Sequence, residues 1–154
     1  MRVLIQRVSR AQAHERGSSS RSTTGVGKGL LVLAGFEAED SPVCIEQMIQ
    51  KIRSLRIFSD ASGKMNVSGH DAGAQYLLVS QFTLYADCRY GNRPSFDKAA
   101  PKTKAKEYFE YFVQTATRVL GQEVVRSTPF GADLEVELVN DGPVTIWMDT
   151  KEIL

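Results

Sequence analysis

The sequence predicts an α+β fold, with mixed β-sheets forming a sandwich or partly closed barrel and two main helices, all in a single domain over residues 1–154. Three observations lead there. Strand-length apolar runs open and close the chain. Two stretches between them carry apolar residues at helical spacing. The elements also lack the regular βαβ alternation of a doubly wound sheet.

Each element has its own signal. "RVLIQRV" (Arg2–Val8) alternates well enough for a half-buried strand. "GLLVLAGF" (Gly29–Phe36) is continuously apolar between glycines, which predicts a strand covered on both faces. The polar, serine-rich stretch between them, "AHERGSSSRSTTGVGKG", reads as a loop or a poorly ordered hairpin. Ser41 and Pro42 fit the N-cap and first position of a helix, and Ile45, Met48, Ile49, Ile52 and Leu55 then form one apolar stripe. "RIFSDASGKMNVSG" switches to strand around a glycine turn. "YLLVSQFTLYA" (Tyr76–Ala86) is rich in β-branched and aromatic residues and predicts one long strand, followed by the loop "DCRYGNRPSFDKAA". Pro101 opens a second helix, with Phe109, Phe112, Val113, Ala116, Val119 and Leu120 on one face and Gly121 as its stop. "EVVRS", "DLEVELV" and "VTIWM" return to strand, for a total of roughly six to eight strands. "LVNDGPVTIW" (Leu138–Trp147) reads as strand, turn, strand, with Gly142-Pro143 at the turn.

Composition narrows the function classes. No apolar run is long enough for a membrane span, and "MRVLIQRVSR" does not read as a signal peptide. Cys44 and Cys88 are far apart, so a disulfide framework is not expected and a cytoplasmic location is. A net charge of +1 argues against a broad grip on duplex nucleic acid, and DNA is not an expected partner.

The usual catalytic signatures are missing. His14 and His70 both fall in predicted loops, and a Ser-His-Asp triad would need one of them to meet Ser80 or Thr83. His14, His70, Cys44 and Cys88 have no ligand-pair spacing, so neither a metal nor a cofactor is expected. The glycines of "GVGKG" precede a strand rather than a helix, which makes them a turn and not a phosphate cradle. Two places stay interesting. "SQFTLY" puts polar groups into an otherwise apolar strand, with Ser80, Phe82 and Leu84 expected on one face and Gln81, Thr83 and Tyr85 on the other. The second is the Gly-Pro itself. Between them in sequence, Arg89, Arg93, Lys98, Lys102, Lys104 and Lys106 interleave with Tyr90 and Phe96, a mix that suits phosphates and a stacked base or, equally, a solvated face.

"RVLIQRV", "LRIFSDASGKMN", "LLVSQFTLYAD", "GNRPSF" and "FGADLEVELVNDGPVTIW", in this order through nearly the whole chain, closely resemble the D-aminoacyl-tRNA deacylase family, the D-tyrosyl-tRNA(Tyr) deacylases built on a cis Gly-Pro. The resemblance implies a homodimer with its active site at the subunit interface. Its partner is the aminoacyl-tRNA acceptor end, and it hydrolyses the ester that joins a D-amino acid to the terminal adenosine. The pocket is then built around Ser80, Gln81, Phe82 and Thr83. Gly142 and Pro143 reach in from the other subunit with their carbonyls toward the substrate's α-carbon and amino group. Arg7 helps to hold the Gly-Pro, and Met65 and Asn66 lie near the same site. The chain departs from the family at "AQAHERGSSSRSTTGVGKG", which is more polar and a few residues longer than the usual hairpin and leaves the second strand open.

An aminoacyl ester is already activated, so a positioned water and oxyanion donors are sufficient chemistry. The backbone N–H groups of Phe82 and Thr83 are the expected donors. The resemblance implies that the substrate's ribose 2′-hydroxyl replaces a protein base, with Thr83 as nucleophile the competing idea. Carbonyls set against the α-carbon would admit hydrogen but no L side chain, so glycyl-tRNA is also expected to be cleaved. The rivals are a deacylase of L-alanine mischarged on the wrong tRNA and a non-catalytic binder of single-stranded RNA ends.

Overall fold

A computed structural model of the chain describes residues 1–17 and 23–153. The strands are β1 (Arg2–Glu15), β2 (Thr23–Val26), β3 (Gly29–Gly35), β4 (Phe58–Ser59), β5 (Met65–Val67), β6 (Gln75–Ser80), β7 (Val125–Ser127) and β8 (Leu134–Asp149). The helices are α1 (Pro42–Ser54), α2 (Lys102–Leu120) and a short α3 (Thr150–Ile153), with a 3-10 turn at Phe82–Tyr85. The two main helices and the mixed α+β architecture are as predicted.

β1 organises the main sheet. One of its edges pairs antiparallel with β3 through Arg2–Val8 and then with β2 through Ala11–His14, while β8 runs antiparallel along the other. β3, β6 and β7 continue the sheet in parallel, and β4 with β5 forms a separate hairpin. Alternation along β3 explains how both its faces are covered. Leu30, Val32 and Ala34 pack toward α1 and α2, whereas Leu31 joins Val8, Ala11, Leu77 and Val79 on the opposite face. Leu134 and Leu138 of β8 close over that second cluster, so the sheet curls into a nearly closed barrel.

The helices follow their sequence signals. Ser41 caps α1, its hydroxyl accepting from Cys44 N at 3.3 Å, and Ile45, Met48, Ile49 and Ile52 are buried. On α2, which stops at Gly121, Phe109, Phe112, Ala116 and Leu120 face the core, and Val113 and Val119 pack at its margin. Burying such stripes is what stabilises helices of this length, at about 25 cal/mol per Å² of apolar surface.

Three expectations change. First, β1 runs on to Glu15 and β2 pairs with it, so of the loop and the hairpin open for this stretch it is the hairpin, and His14, expected in a loop, lies in a strand, its Nδ1 2.9 Å from Thr23 Oγ1. Residues 18–22 of that stretch lie outside the described residues. Second, the long strand expected at Tyr76–Ala86 ends at Ser80. Gln81 N still bonds to Ala34 O at 2.7 Å, but β3 ends at Gly35 and the chain then coils into the 3-10 turn. Ser80, Phe82 and Leu84 therefore do not share a sheet face. Third, Leu138–Trp147 is not two strands joined by a turn but one strand with a bulge. Both arms belong to β8 and pair with the same neighbour. Gln6 lies opposite Thr145 and Val8 opposite Asn140, so residues 141–144 bulge out with only Arg7 across from them.

Candidate active site

The 3-10 turn at the end of β6 forms one wall of a cleft of about 270 Å³. Ala34 and Gly35 line it from β3, Phe36 from just after it, Val79 to Phe82 from the end of β6 and the turn, Phe130 to Ala132 from the loop before β8, and Leu134 and Val136 from β8 itself. No lining residue carries a titratable side chain. Gly35 makes the turn possible. A Cβ there would stand 2.7 Å from Gln81 O and 3.2 Å from Leu84 Cβ, closer than the backbone contact allows. Leu84 N and Ala86 N bond back to Gln81 O and Thr83 O at 3.3 and 3.0 Å. The start of such a turn leaves the N–H groups of Phe82 and Thr83 without intrahelical partners.

Side chains around the turn are fixed by neighbours. Ser80 Oγ accepts from Gly131 N at 3.2 Å, tying β6 to the loop across the cleft. Gln81 Nε2 donates to Thr83 Oγ1 at 2.5 Å. Phe82 is exposed and meets the ring of Phe96 edge-on, with centroids 5.0 Å apart. From below, Arg2 donates to Leu84 O at 3.0 Å and to Asp149 Oδ2 at 2.8 Å, with its guanidinium 4.4 Å from the Tyr85 ring centre. Burial pushes the Tyr85 phenol far above its ordinary range, so it stays neutral under the turn. Burial opposes the charge on Asp149, but the bond from Arg2 and one from Lys151 N outweigh it and hold that carboxyl below its usual range.

Gly142 and Pro143 stand elsewhere. Their peptide bond is cis, and both residues are exposed on the bulge of β8, outside the cleft. Arg7, 9% exposed, donates Nε to Asp141 O at 2.8 Å and Nη1 to Ile57 O at 2.6 Å, which braces the bulge against the start of the β4–β5 hairpin. Gly142 has φ +153°, and a Cβ on it would meet Val144 N and Cγ2 at 2.7 Å, so no other residue fits without displacement. Met65 and Asn66 sit exposed on β5, whose Val67 pairs with Phe58 next to Ile57.

The predicted residues thus fall into two groups. Ser80, Gln81 and Phe82 line the cleft, with Thr83 joined to them, while Arg7 and Gly142-Pro143 form a second cluster beside the hairpin of Met65 and Asn66. Within one chain the cleft does not include the second cluster. Neither histidine reaches Ser80 or Thr83: His14 contacts Thr23, and His70 Nε2 lies 3.1 Å from Arg53.

Two further elements went unread in the sequence. The amide of Asn140 accepts from Val144 N at 2.8 Å and donates to Val144 O at 3.1 Å, bridging the neck of the bulge. Its signal was available, since an Asn shortly before Gly-Pro is a residue type that bonds to nearby backbone in turns. Phe130–Ala132 opens the motif "FGADLEVELVNDGPVTIW", but nothing in those residue types marked them as a wall of the cleft.

A family model for D-Tyr-tRNA(Tyr) deacylase matches residues 4–149. The chain belongs to that family. Among curated relatives, a D-aminoacyl-tRNA deacylase of Ruegeria pomeroyi is 51% identical, over 97% of this chain and 99% of its own. One from Bacteroides thetaiotaomicron is 47% identical, over 98% of each. Among solved structures, one described as a c-Myc DNA unwinding element binding protein superposes with a TM-score of 0.89 at 36% identity, over 97% of this chain and 98% of that one. A probable eukaryotic D-amino acid tRNA deacylase superposes at 0.83 over 96% and 97%, and at 14% identity it speaks for the fold alone.

Proposed function

We propose that this chain hydrolyses the ester bond of D-aminoacyl-tRNA, releasing the D-amino acid and free tRNA, and that it works as a cytoplasmic homodimer. The split of the motif carries the reading. Ser80–Phe82 wall a cleft without a side-chain base, while Gly142-Pro143 stand exposed outside it on a braced bulge. A bulge that stands outside the cleft of its own chain is available to complete the cleft of a second copy.

In the completed site the N–H groups of Phe82 and Thr83 stabilise the oxyanion as the ester carbonyl becomes tetrahedral. The proton chemistry falls to the ribose 2′-hydroxyl, since no lining residue can act as a base. Thr83 fits the role of nucleophile poorly. Its oxygen accepts from the Gln81 amide, a donor that draws on the lone pair and takes no proton from it. The carbonyls of the partner's bulge then face the α-carbon, admitting hydrogen and excluding an L side chain. Arg7 and Asn140 are positioning residues for those carbonyls, and Met65 and Asn66 border them.

Purified protein given D-tyrosyl-, L-tyrosyl- and glycyl-tRNA should release amino acid from the first and third only. Intact glycyl-tRNA would break the steric account, and binding of all three without release would favour an RNA-end binder. Thr83→Ala should stay within about tenfold of wild type, well short of the loss that follows removal of an activated nucleophile. D-tyrosyl-tRNA ending in 2′-deoxyadenosine should not be cleaved. The opposite pair of results assigns the chemistry to Thr83.

A further inference from the structure

We propose that the loop at residues 87–96 is the docking surface for the single-stranded nucleotides next to the esterified adenosine, with Tyr90 stacking a base and Arg93 pairing with a phosphate. The loop is a closed structure: Asp87 and Ser95 exchange both backbone hydrogen bonds, at 2.7 and 3.0 Å. It adjoins the cleft directly, since Phe96, at its end, packs on Phe82 of the cleft wall.

The structure sorts the basic residues that the sequence leaves together. Lys104 donates to Ala38 O and Lys106 pairs with Glu110 at 3.8 Å, so both serve the α2 region. Arg89 is committed to Asp87, with Nε 2.9 Å from one carboxylate oxygen and 3.0 Å from the other, and Lys98 leans on the same carboxylate at 3.7 Å. Those bonds from Arg89 hold the Asp87 carboxyl well below its usual range. Arg93 and Lys102 have no carboxylate partner among the described residues, and of the two only Arg93 belongs to the loop, Lys102 being the first residue of α2.

Tyr90 is the second observation. It is 82% exposed, the most open of the large apolar side chains among the described residues. The guanidinium of Arg89 lies 5.6 Å from its ring centre, so the carboxylate-bound arginine backs one face and leaves the other to solvent. A ring braced on one face, in one loop with an arginine that has no carboxylate partner among the described residues, and next to the cleft, matches a single strand of RNA, whose bases stack and whose phosphates need a cation. The net charge of +1 fits this economy, because only a short end has to be held.

This inference rests on the proposed deacylase reading, and two substrates separate them. Tyr90→Ala and Arg93→Gln should each raise KM for D-tyrosyl-tRNA, the first by roughly 5- to 100-fold, the loss of one base–aromatic stack. Arg93→Gln should also flatten the dependence of log affinity on log salt by about 0.7. Both variants should keep wild-type hydrolysis of D-tyrosyl-adenosine, which lacks the upstream nucleotides, and Tyr90→Phe should restore KM on tRNA. Unchanged KM on tRNA in both variants, or an equal loss on the short ester, overturns the proposal. Should wild type cleave neither substrate, the deacylase reading falls by itself. The loop is then judged by affinity for an oligoribonucleotide ending in CCA: weakening in both variants upholds it, and equal binding refutes it.

Discussion

At Asn140 one side chain does the work of a short piece of sheet. Residues 141–144 have left the ladder, and the amide of Asn140 replaces the lost bonds by clasping both backbone groups of Val144. Arg7, the only β1 residue opposite the bulge, holds the preceding carbonyl. Lysine could not copy it, because a single ammonium lacks the fork that reaches Asp141 O and Ile57 O together. Asn140→Ala leaves the Val144 N–H without its acceptor, at a cost of about 1–2 kcal/mol. Urea unfolding should show that loss. If the clasp also aims the Gly142-Pro143 carbonyls, the ratio of D- to L-tyrosyl-tRNA hydrolysis should fall as well. A variant that loses stability and keeps full chiral discrimination would reduce Asn140 to a structural role.

Among the elements, the 3-10 turn depends most on contacts far away in sequence. Nothing local in "VSQFTLYA" stops a strand. The stop comes from Gly35, where β3 ends and the backbone of Gln81 crosses closely, and from Arg2, which clamps Leu84 O to Asp149. That clamp carries a pH dependence. The folded Asp149 carboxyl is held below its usual range, so its contribution is present above the unfolded carboxylate pKa of about 4 and is lost as pH falls through the lower folded value. Asp149→Asn should therefore be less stable than wild type by about 1–3 kcal/mol at pH 7, with the gap narrowing below pH ~4. A gap that held constant down to pH ~2 would mean that the charge of Asp149 is irrelevant. The same contrast shows what could be read in advance. α1 and α2 were legible because a 3.6-residue apolar period is local, and "SQFT" and "NDGPVT" stood out as a recognisable pair. The turn, the neck at Asn140 and the Phe130–Ala132 wall were hidden because long-range packing creates them. The continuity of β8 was hidden too, since a Gly-Pro inside a strand looks like a reversal until its neighbour β1 is known.

For the whole molecule, the proposed shared site requires a bulge and a cleft on separate parts of one chain to meet across two copies. The free edge of β8 bears directly on it. Among the described residues this strand pairs with β1 alone, and Val136, Val139 and Trp147 along it are 37, 38 and 43% exposed. A long, partly apolar edge is an aggregation hazard unless something covers it, and a second copy related by twofold symmetry is the simplest cover. Mixing two damaged chains tests the shared-site reading. Ala132→Phe fills the cleft and leaves the bulge intact, whereas Gly142→Ala drives a Cβ into Val144 N and leaves the cleft open. Each homodimer should be inactive on D-tyrosyl-tRNA. In a heterodimer the open cleft of the Gly142→Ala chain receives the sound bulge of the Ala132→Phe chain, and the other site stays dead. Random reassortment makes half the dimers mixed, so activity should return to roughly a quarter of wild type. Where each chain builds its own site, no mixture contains an intact one. Activity absent after the chains have demonstrably exchanged would thus rule out the shared site.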